Sequence, residues 1–186
     1  MTPLSRRLLL VFAAIGLAAA STSSYVHYQL LTVPNYTSVC DVSAHVSCSQ
    51  AYMSRYGTFW GVPVALGGVI FFLLVLVLAG YGGRATSAVK ESVPAYIFAL
   101  STIGLAFIMY LAWASYVQLK TFCLLCAITY VAVIAIFIIS GGATTFPMTT
   151  LPRRATGDLR TLVSTPLALL IALLIAGGST ALIVLF

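Results

Sequence analysis

Charged residues are scarce in this sequence, and their scarcity excludes most soluble proteins. Only 6% of the residues are Asp, Glu, Lys or Arg, whereas 61% are hydrophobic. A soluble domain carries about 25% charged residues. The formal net charge is +6, but the basic residues are scattered beside long apolar stretches. That pattern is typical of membrane orientation and does not indicate nucleic-acid binding.

The apolar stretches themselves contain no Asp, Glu, Lys or Arg. Proton pumps, ion pathways and many transporters need such groups within the membrane, so their absence argues against those functions. Histidine is also scarce, because the chain has only His27 and His45. Haem ligation by a pair of histidines is therefore not expected.

Long apolar stretches, in contrast, are abundant. Five are long enough to cross a bilayer, which takes about 20 residues, and they lie at about residues 8–28, 62–81, 94–117, 122–140 and 166–186. We therefore predict an all-α integral membrane protein in which residues 1–186 form one membrane domain. The first stretch also resembles a secretory signal peptide, because Arg6 and Arg7 precede its apolar core. Either interpretation places the residues after 28 outside.

Basic residues are distributed unequally between the two sides of these predicted spans. With the N-terminus inside, only Arg55 and Lys120 fall on the outer side, which is a positive-inside bias. This orientation puts the outer loop, which we define as residues 29–61, and the C-terminus outside. The seven basic residues on the inner side are Arg6, Arg7, Arg84, Lys90, Arg153, Arg154 and Arg160.

Part of the outer loop has the pattern of a short helix. Ser47 or Ser49 can cap its start, and it should end before Gly57. Tyr52 and Tyr56 lie four positions apart, so they would share one face of that helix. We expect the helix to lie over the bundle as a lid.

All four cysteines fall on the outer side: Cys40 and Cys48 in the outer loop, and Cys123 and Cys126 at the start of the fourth span. Two structural disulfides, a four-cysteine zinc site and a redox relay are the alternatives. Zinc sites usually pair cysteines two to four positions apart, so the wider Cys40–Cys48 gap argues against a metal. A Cys-x-x-Cys pair at a helix start favours the relay, because the free amides and the helix dipole stabilise an attacking thiolate.

The fourth span adds a tyrosine to this pattern. Residues advance by about 100° along a helix, so Cys123, Cys126 and Tyr130 share one face. Tyr130 can donate a hydrogen bond to a carbonyl oxygen held beside the sulfur, or it can serve only in packing. If the cysteines are oxidised in each catalytic cycle, they need an acceptor for two electrons. A lipid-soluble quinone in a pocket within the bundle beside Cys126 would suit this role.

The cysteine motifs and their surroundings resemble the vitamin K epoxide reductase family. The resemblance covers about residues 8–140 and includes the order of the spans. Each motif is short, but their combination is specific. It comprises Cys40-Asp41, Ser47-Cys48-Ser49, Ser54, Gly57, Gly61, Cys123-Leu124-Leu125-Cys126 and Tyr130.

The resemblance implies a fold and a set of roles. Four helices would form a bundle around a quinone site near the outer surface. Cys126 would attack the quinone or form an adduct with it, and Cys123 would resolve that adduct and exchange with Cys48. Cys40 would exchange with a thioredoxin-fold partner. Tyr130 resembles a quinone-binding tyrosine of the family.

Other features of the resemblance bear on substrate and location. Ser54 resembles a family serine that supports the loop, and we also predict it near the quinone. Vertebrate members carry an asparagine near the start of span 2, whereas Asn35 is the only asparagine here. This difference favours a bacterial-type quinone reductase in an inner membrane, with a separate thioredoxin-fold partner. The alternatives are a vitamin K quinone or epoxide reductase of the endoplasmic reticulum and a non-enzymatic membrane protein with structural disulfides.

Overall fold

The computed structural model describes residues 1–43, 45–59, 61–81 and 87–145, with the isolated positions 173, 177, 178, 180 and 181. Helices dominate the described part. They are α1 (Pro3–Thr32), α2 (Cys48–Tyr52), α3 (Val64–Tyr81), α4 (Ser87–Trp113) and α5 (Leu124–Ala143), and a π-helical segment, π1 (Ala114–Leu119), continues α4. Two short strands, β1 (Thr58–Phe59) and β2 (Val62–Pro63), pair antiparallel between α2 and α3.

Within the described residues, four helical segments are long and apolar enough to cross a membrane: Pro3–Thr32, Val64–Tyr81, Glu91–Leu119 and Leu124–Ala143. They confirm the first four predicted spans and the all-α membrane class. The predicted fifth span, residues 166–186, lies almost entirely outside the described residues.

Two helix starts differ from the prediction. The first helix begins earlier, because Thr2 caps it by accepting a hydrogen bond from the Ser5 amide at 3.1 Å and Pro3 suits the first turn. The third predicted span, from about Pro94, corresponds to the spanning segment Glu91–Leu119, and its helix α4 already starts at Ser87 and includes that proline. The apolar stretch predicts the membrane span, and the more polar residues before it continue the helix.

The core of the bundle lies where α1 packs against α3 and α5. The buried Phe72 of α3 lies against Gly16 of α1, where the missing side chain lets the ring reach the helix backbone. At the opposite end of the bundle from the cysteines, Arg6 donates to the Ala79 and Gly80 carbonyls at 3.0 and 3.2 Å. These bonds satisfy free carbonyls at the end of α3. The first helix therefore packs as part of the bundle, with buried residues between Leu9 and His27.

The outer loop folds over the bundle. Ser47 caps α2 by accepting a hydrogen bond from the Gln50 amide at 3.1 Å, as predicted. The helix ends at Tyr52, so the prediction that Tyr56 shares a helical face with Tyr52 is wrong. The reason is a tight reversal in which Gly57 lies directly against the Tyr52 carbonyl, a position that no larger residue can occupy.

A backbone bridge joins the outer loop to the start of α5. After π1, Lys120 adopts a left-handed conformation with φ of 50° and turns the chain. The Phe122 amide then donates to the His45 carbonyl at 2.7 Å, and the Ser47 amide donates to the Phe122 carbonyl at 3.2 Å. This bridge fixes the residue before Cys48 beside the residue before Cys123.

Candidate redox site

The four cysteines form two disulfides, Cys40–Cys48 and Cys123–Cys126, with Cα–Cα distances of 5.7 and 5.2 Å. The two pairs adjoin, because the Cys48 sulfur lies 3.7 Å from the Cys123 sulfur. Sulfur atoms at this distance are in van der Waals contact. A contact this close is compatible with direct thiol–disulfide exchange between the two pairs.

Burial separates this sulfur contact from the surface. Cys48 is fully buried, and Cys123 and Cys40 are 3% and 5% exposed. The residues flanking the outer disulfide are open by comparison, because Val39 is 88% exposed and Val42 is 75% exposed. A reductant approaching from outside thus meets the loop around Cys40 before it meets the inner pair.

The inner disulfide lies at the start of α5, as the sequence predicts. Cys123 is the N-cap residue, and its sulfur accepts a hydrogen bond from the Cys126 amide at 3.2 Å. The first amides of a helix have no partners within the helix and carry the positive end of its dipole. A thiolate at Cys123 is stabilised in this position.

Asp41 organises the outer disulfide. Its carboxylate accepts hydrogen bonds from the Ser47 hydroxyl at 2.8 Å, from the Ser49 and Ser38 amides at 3.1 Å each, and from the Ser49 hydroxyl. Burial alone would raise the pKa of Asp41, but these hydrogen bonds outweigh it, so its pKa is lowered from 3.8. The carboxylate holds the segments that carry Cys40 and Cys48 together. The motif contains this aspartate, but its role could not be predicted from the sequence.

A cavity of about 310 Å³ opens inside the bundle below α2. Binding pockets for small molecules usually occupy about 300–1,000 Å³ and have mainly apolar walls. All four spanning segments contribute to these walls, which are apolar apart from a few side chains. The wall residues with polar or reactive side chains are Ser23, Tyr52, Tyr56, Ser115, Cys126, Thr129 and Tyr130.

The two sulfurs of the inner disulfide face different neighbours. Cys126 lines the cavity, and Cys123 contacts Cys48 of the outer disulfide. Tyr130 also lines the cavity, one turn further along α5, and its hydroxyl makes no hydrogen bond to the described part of the chain. That donor is available to a ligand beside Cys126.

Ser54 lies outside the cavity walls. Its hydroxyl donates to the Ala51 carbonyl at 2.7 Å and accepts from the Tyr56 amide at 3.2 Å. The serine thus supports the reversal after α2 and holds Tyr56 at the edge of the cavity. Direct contact between Ser54 and a ligand stays a prediction.

Sequence reasoning missed a cluster that links α1 to the cysteines. The Tyr52 hydroxyl donates to the Ser23 hydroxyl at 2.9 Å and lies 3.6 Å from the Cys123 sulfur. Burial raises the pKa of Tyr52, the Ser23 hydrogen bond opposes this rise, and the charge of Asp41 adds to it. The ring of His27 stacks on Tyr52 with centroids 5.9 Å apart.

His27 is the least expected member of this cluster. It is 1% exposed, and its Nδ1 atom has no hydrogen-bond partner within the described residues. The sequence offered one signal for the cluster, since Tyr52 follows Cys48 by one helical turn. Nothing in the sequence indicated that Ser23 and His27 would meet it.

Comparison with known proteins agrees with this arrangement. The profile of the vitamin K epoxide reductase family matches residues 7–141. Vitamin K epoxide reductase complex subunit 1 of Mus musculus is 30% identical over 144 residues, which cover 70% of this chain and 85% of the mouse protein. The Rattus norvegicus protein of the same name is 29% identical over 137 residues, which cover 67% and 81% of the two chains.

These matches identify a membrane oxidoreductase with redox cysteines. The chain belongs to the vitamin K epoxide reductase family. The matched region includes all four cysteines and every residue that lines the cavity. Family membership also confirms the resemblance seen in the sequence motifs, and it assigns the protein to enzymes that act on quinone or epoxide substrates.

Proposed function

We propose that the protein is a thiol:quinone oxidoreductase. It takes two electrons from a reduced thioredoxin-fold partner at Cys40–Cys48, passes them to Cys123–Cys126, and delivers them to a quinone in the cavity. The observation that carries this proposal is the 3.7 Å contact between Cys48 and Cys123, combined with the position of Cys126 in the cavity wall.

Electron transfer between the pairs follows thiol–disulfide exchange. After the partner reduces the outer pair, the Cys48 thiolate attacks Cys123, a Cys48–Cys123 disulfide forms, and Cys126 leaves as a thiolate. Cys40 then attacks Cys48, which restores the outer disulfide and releases Cys123. The outer dithiol has become a disulfide, and the inner disulfide has become a dithiol.

The inner dithiol then reduces the quinone. Cys123 and Cys126 return to a disulfide, and the quinone gains two electrons and two protons to become hydroquinone. The free hydroxyl of Tyr130 supports this step, because it can donate a hydrogen bond to a quinone carbonyl and hold that ring beside Cys126. Ser54 would act through Tyr56 at the cavity edge.

The charge distribution supports an outward-facing site. Arg6 lies at the end of α1 opposite the cysteines and binds the end of α3, and positive charges favour the inner side of a membrane. We place the protein in a bacterial inner membrane with the cysteines outside. There its reaction, coupled to a separate thioredoxin-fold protein, would support disulfide formation in exported proteins.

Vitamin K epoxide reduction is the second candidate function. It is favoured by the relatives in Mus musculus and Rattus norvegicus, whose names state that they belong to a vitamin K epoxide reductase complex. The reaction would also use a dithiol beside the cavity, in the membrane of the endoplasmic reticulum. The cavity wall contains no asparagine, since Asn35 lies in the outer loop.

A direct comparison of substrates separates the two functions. The full-length protein in liposomes is given a small dithiol and, in parallel, ubiquinone, menaquinone, vitamin K quinone or vitamin K epoxide. The thiol:quinone proposal expects quinone reduction that is lost in Cys126→Ala and retained in the control Gly142→Ala, which alters an exposed glycine of α5. Epoxide reduction at a comparable rate would favour the second function, and no reduction of any substrate would reject both.

A further inference from the structure

The Tyr52 hydroxyl has two acceptors within reach and only one hydrogen to give. It lies 2.9 Å from the Ser23 hydroxyl and 3.6 Å from the Cys123 sulfur. Cys123 is bonded to Cys126 here and carries no hydrogen, so Tyr52 is the donor in any bond between the two. A disulfide sulfur accepts hydrogen bonds weakly, and the hydrogen therefore goes to Ser23.

Reduction of the inner pair changes this competition. A thiolate is a far better acceptor than a disulfide sulfur, and hydrogen bonds to charged groups are roughly twice as strong as those between neutral groups. Rotation of the hydroxyl hydrogen redirects the bond without moving the ring. The ring itself is held by its burial and by stacking on His27.

We propose that Tyr52 is a further catalytic residue, whose hydroxyl transfers its hydrogen bond from Ser23 to Cys123 when Cys123 leaves as a thiolate. This inference rests on the proposed relay. In the step concerned, the Cys40–Cys48 bond forms, the Cys48–Cys123 bond breaks, and the electron pair stays on Cys123. The Cys126 amide and the Tyr52 hydroxyl then share the negative charge on that sulfur.

The position of Tyr52 also limits when this help is available. The residue belongs to α2, which lies over the cavity, and its side chain forms part of the cavity wall. The donor reaches Cys123 only while α2 is seated on the bundle. The helix that covers the cavity therefore also supplies this donor.

Other ionisable groups around Cys123 must be kept constant in any test. His27 of α1 stacks on Tyr52, Asp41 of the outer loop acts on it electrostatically, and Tyr130 of α5 lines the same cavity. His45 and Lys120 lie in the exposed segments next to the backbone bridge. The comparison below changes none of them.

The test measures the Cys123 thiolate directly. Cys40, Cys48 and Cys126 are replaced by Ser in the full chain, so that Cys123 is the only remaining thiol, and thiolate absorbance in the ultraviolet is followed against pH. The same protein with Cys123→Ser added has no thiol, and its absorbance is subtracted to remove the contribution of tyrosine. Adding Tyr52→Phe should raise the pH midpoint of thiolate formation by about one pH unit. At a pH below the midpoint, the variant should therefore contain about tenfold less thiolate. An unchanged midpoint would reject the proposal.

Ser23→Ala is the matched control, because it removes the competing acceptor and leaves the Tyr52 hydroxyl free to donate its hydrogen bond to Cys123. Its midpoint should stay unchanged or fall. A rise as large as that in Tyr52→Phe would assign both residues to packing and overturn the proposal. Formation of the Cys40–Cys48 disulfide in variants that keep all four cysteines checks that the loop is folded.

The thiolate measurement does not depend on quinone turnover, so the two proposals fail separately. A shifted midpoint in a protein that reduces no quinone would retain the role of Tyr52 as a donor to Cys123 and reject the proposed function. An unshifted midpoint in a protein that does reduce quinone would reject the role of Tyr52 alone.

Discussion

The outer cap, which we define as residues 33–63, and the helical bundle beneath it are stabilised by different interactions. In the cap, one carboxylate, Asp41, gathers the chain around the outer disulfide through hydrogen bonds. In the bundle, apolar side chains pack against small residues, as Phe72 does against Gly16. Membrane helices lack a hydrophobic driving force between them and depend on such close packing.

This difference matches the two substrates in the proposed function. The cap exposes the loop around Cys40 to a soluble protein, whereas the apolar cavity suits a lipid-soluble molecule beside Cys126. The sulfur contact between Cys48 and Cys123 lies where the two regions meet. Changes confined to one region should therefore affect one half of the reaction and spare the other.

The largest such effect is expected from filling the cavity. Gly67 lies in its wall, and a Cβ atom added there would meet no atom within 4 Å, so Gly67→Leu adds a large side chain at the cavity wall. A quinone that enters the cavity must share the space with the added leucine. Overpacking of this kind costs about 1–3 kcal/mol, so quinone affinity should fall roughly 5- to 150-fold. Reduction of the outer disulfide by a partner protein should not change. The Michaelis constant for quinone checks the first effect.

Gly80→Leu is the control for this variant. It lies on the same helix, has the same free space around its backbone, and is not part of the cavity wall. Equal losses of quinone affinity in the two variants would place the quinone elsewhere.

A smaller effect is expected in the cap, and it depends on pH. The folded cap holds the pKa of Asp41 below 3.8, so its contribution to stability is fully present above that value and is lost as pH falls through the lowered pKa. The Cys40–Cys48 disulfide should become more reducible as the pH is lowered below about 4. In Asp41→Asn, this pH dependence should disappear. Rates of disulfide reduction by a phosphine across this range provide the measurement.

Ser49→Ala sharpens the interpretation of that result, because it keeps the charge of Asp41 and removes one donor to it. The pH dependence should persist in this variant with a smaller amplitude. If Asp41→Asn retains the full pH dependence of the parent protein, the carboxylate does not hold the cap together.

The smallest effect is expected at Tyr130. Tyr130→Phe removes one hydrogen bond, worth about 0.5–1.5 kcal/mol, so quinone affinity should fall roughly 2- to 12-fold. Tyr116→Phe is the control, because Tyr116 is 84% exposed and outside the cavity wall. An unchanged Michaelis constant for quinone in Tyr130→Phe would leave this tyrosine a packing role.

The parts of this structure that could be predicted from the sequence depend on short-range signals. Apolar runs predicted the four described spans, and Ser47 and the Cys-x-x-Cys pair marked two helix starts. The missed features join residues far apart in the chain: Tyr52 with Ser23, and Arg6 with the end of α3. Such contacts depend on how the helices pack, and helical periodicity carries no information about which partner a given face will meet.

The same limit applies to the cavity and to α4. The sequence indicated that a pocket beside Cys126 was chemically suitable, but the space itself depends on how the four spanning segments pack. The start of α4 could not be predicted from its apolar stretch, because the helix already begins at Ser87 and passes through Pro94. Proline lacks an amide donor, so it suits a first turn, and only the preceding residues decide whether the helix has already begun.

The central claim is that electrons cross from Cys48 to Cys123, and the most direct test compares two reductants. A thioredoxin-fold partner needs the cap, whereas a small dithiol can reach the inner pair directly. Cys40→Ala should therefore abolish quinone reduction with the protein partner, preserve substantial reduction with the small dithiol, and accumulate a Cys48–Cys123 disulfide, whereas Cys126→Ala should abolish both activities. Equal loss with both reductants in the Cys40 and Cys126 variants, with no trapped Cys48–Cys123 bond, would contradict the relay.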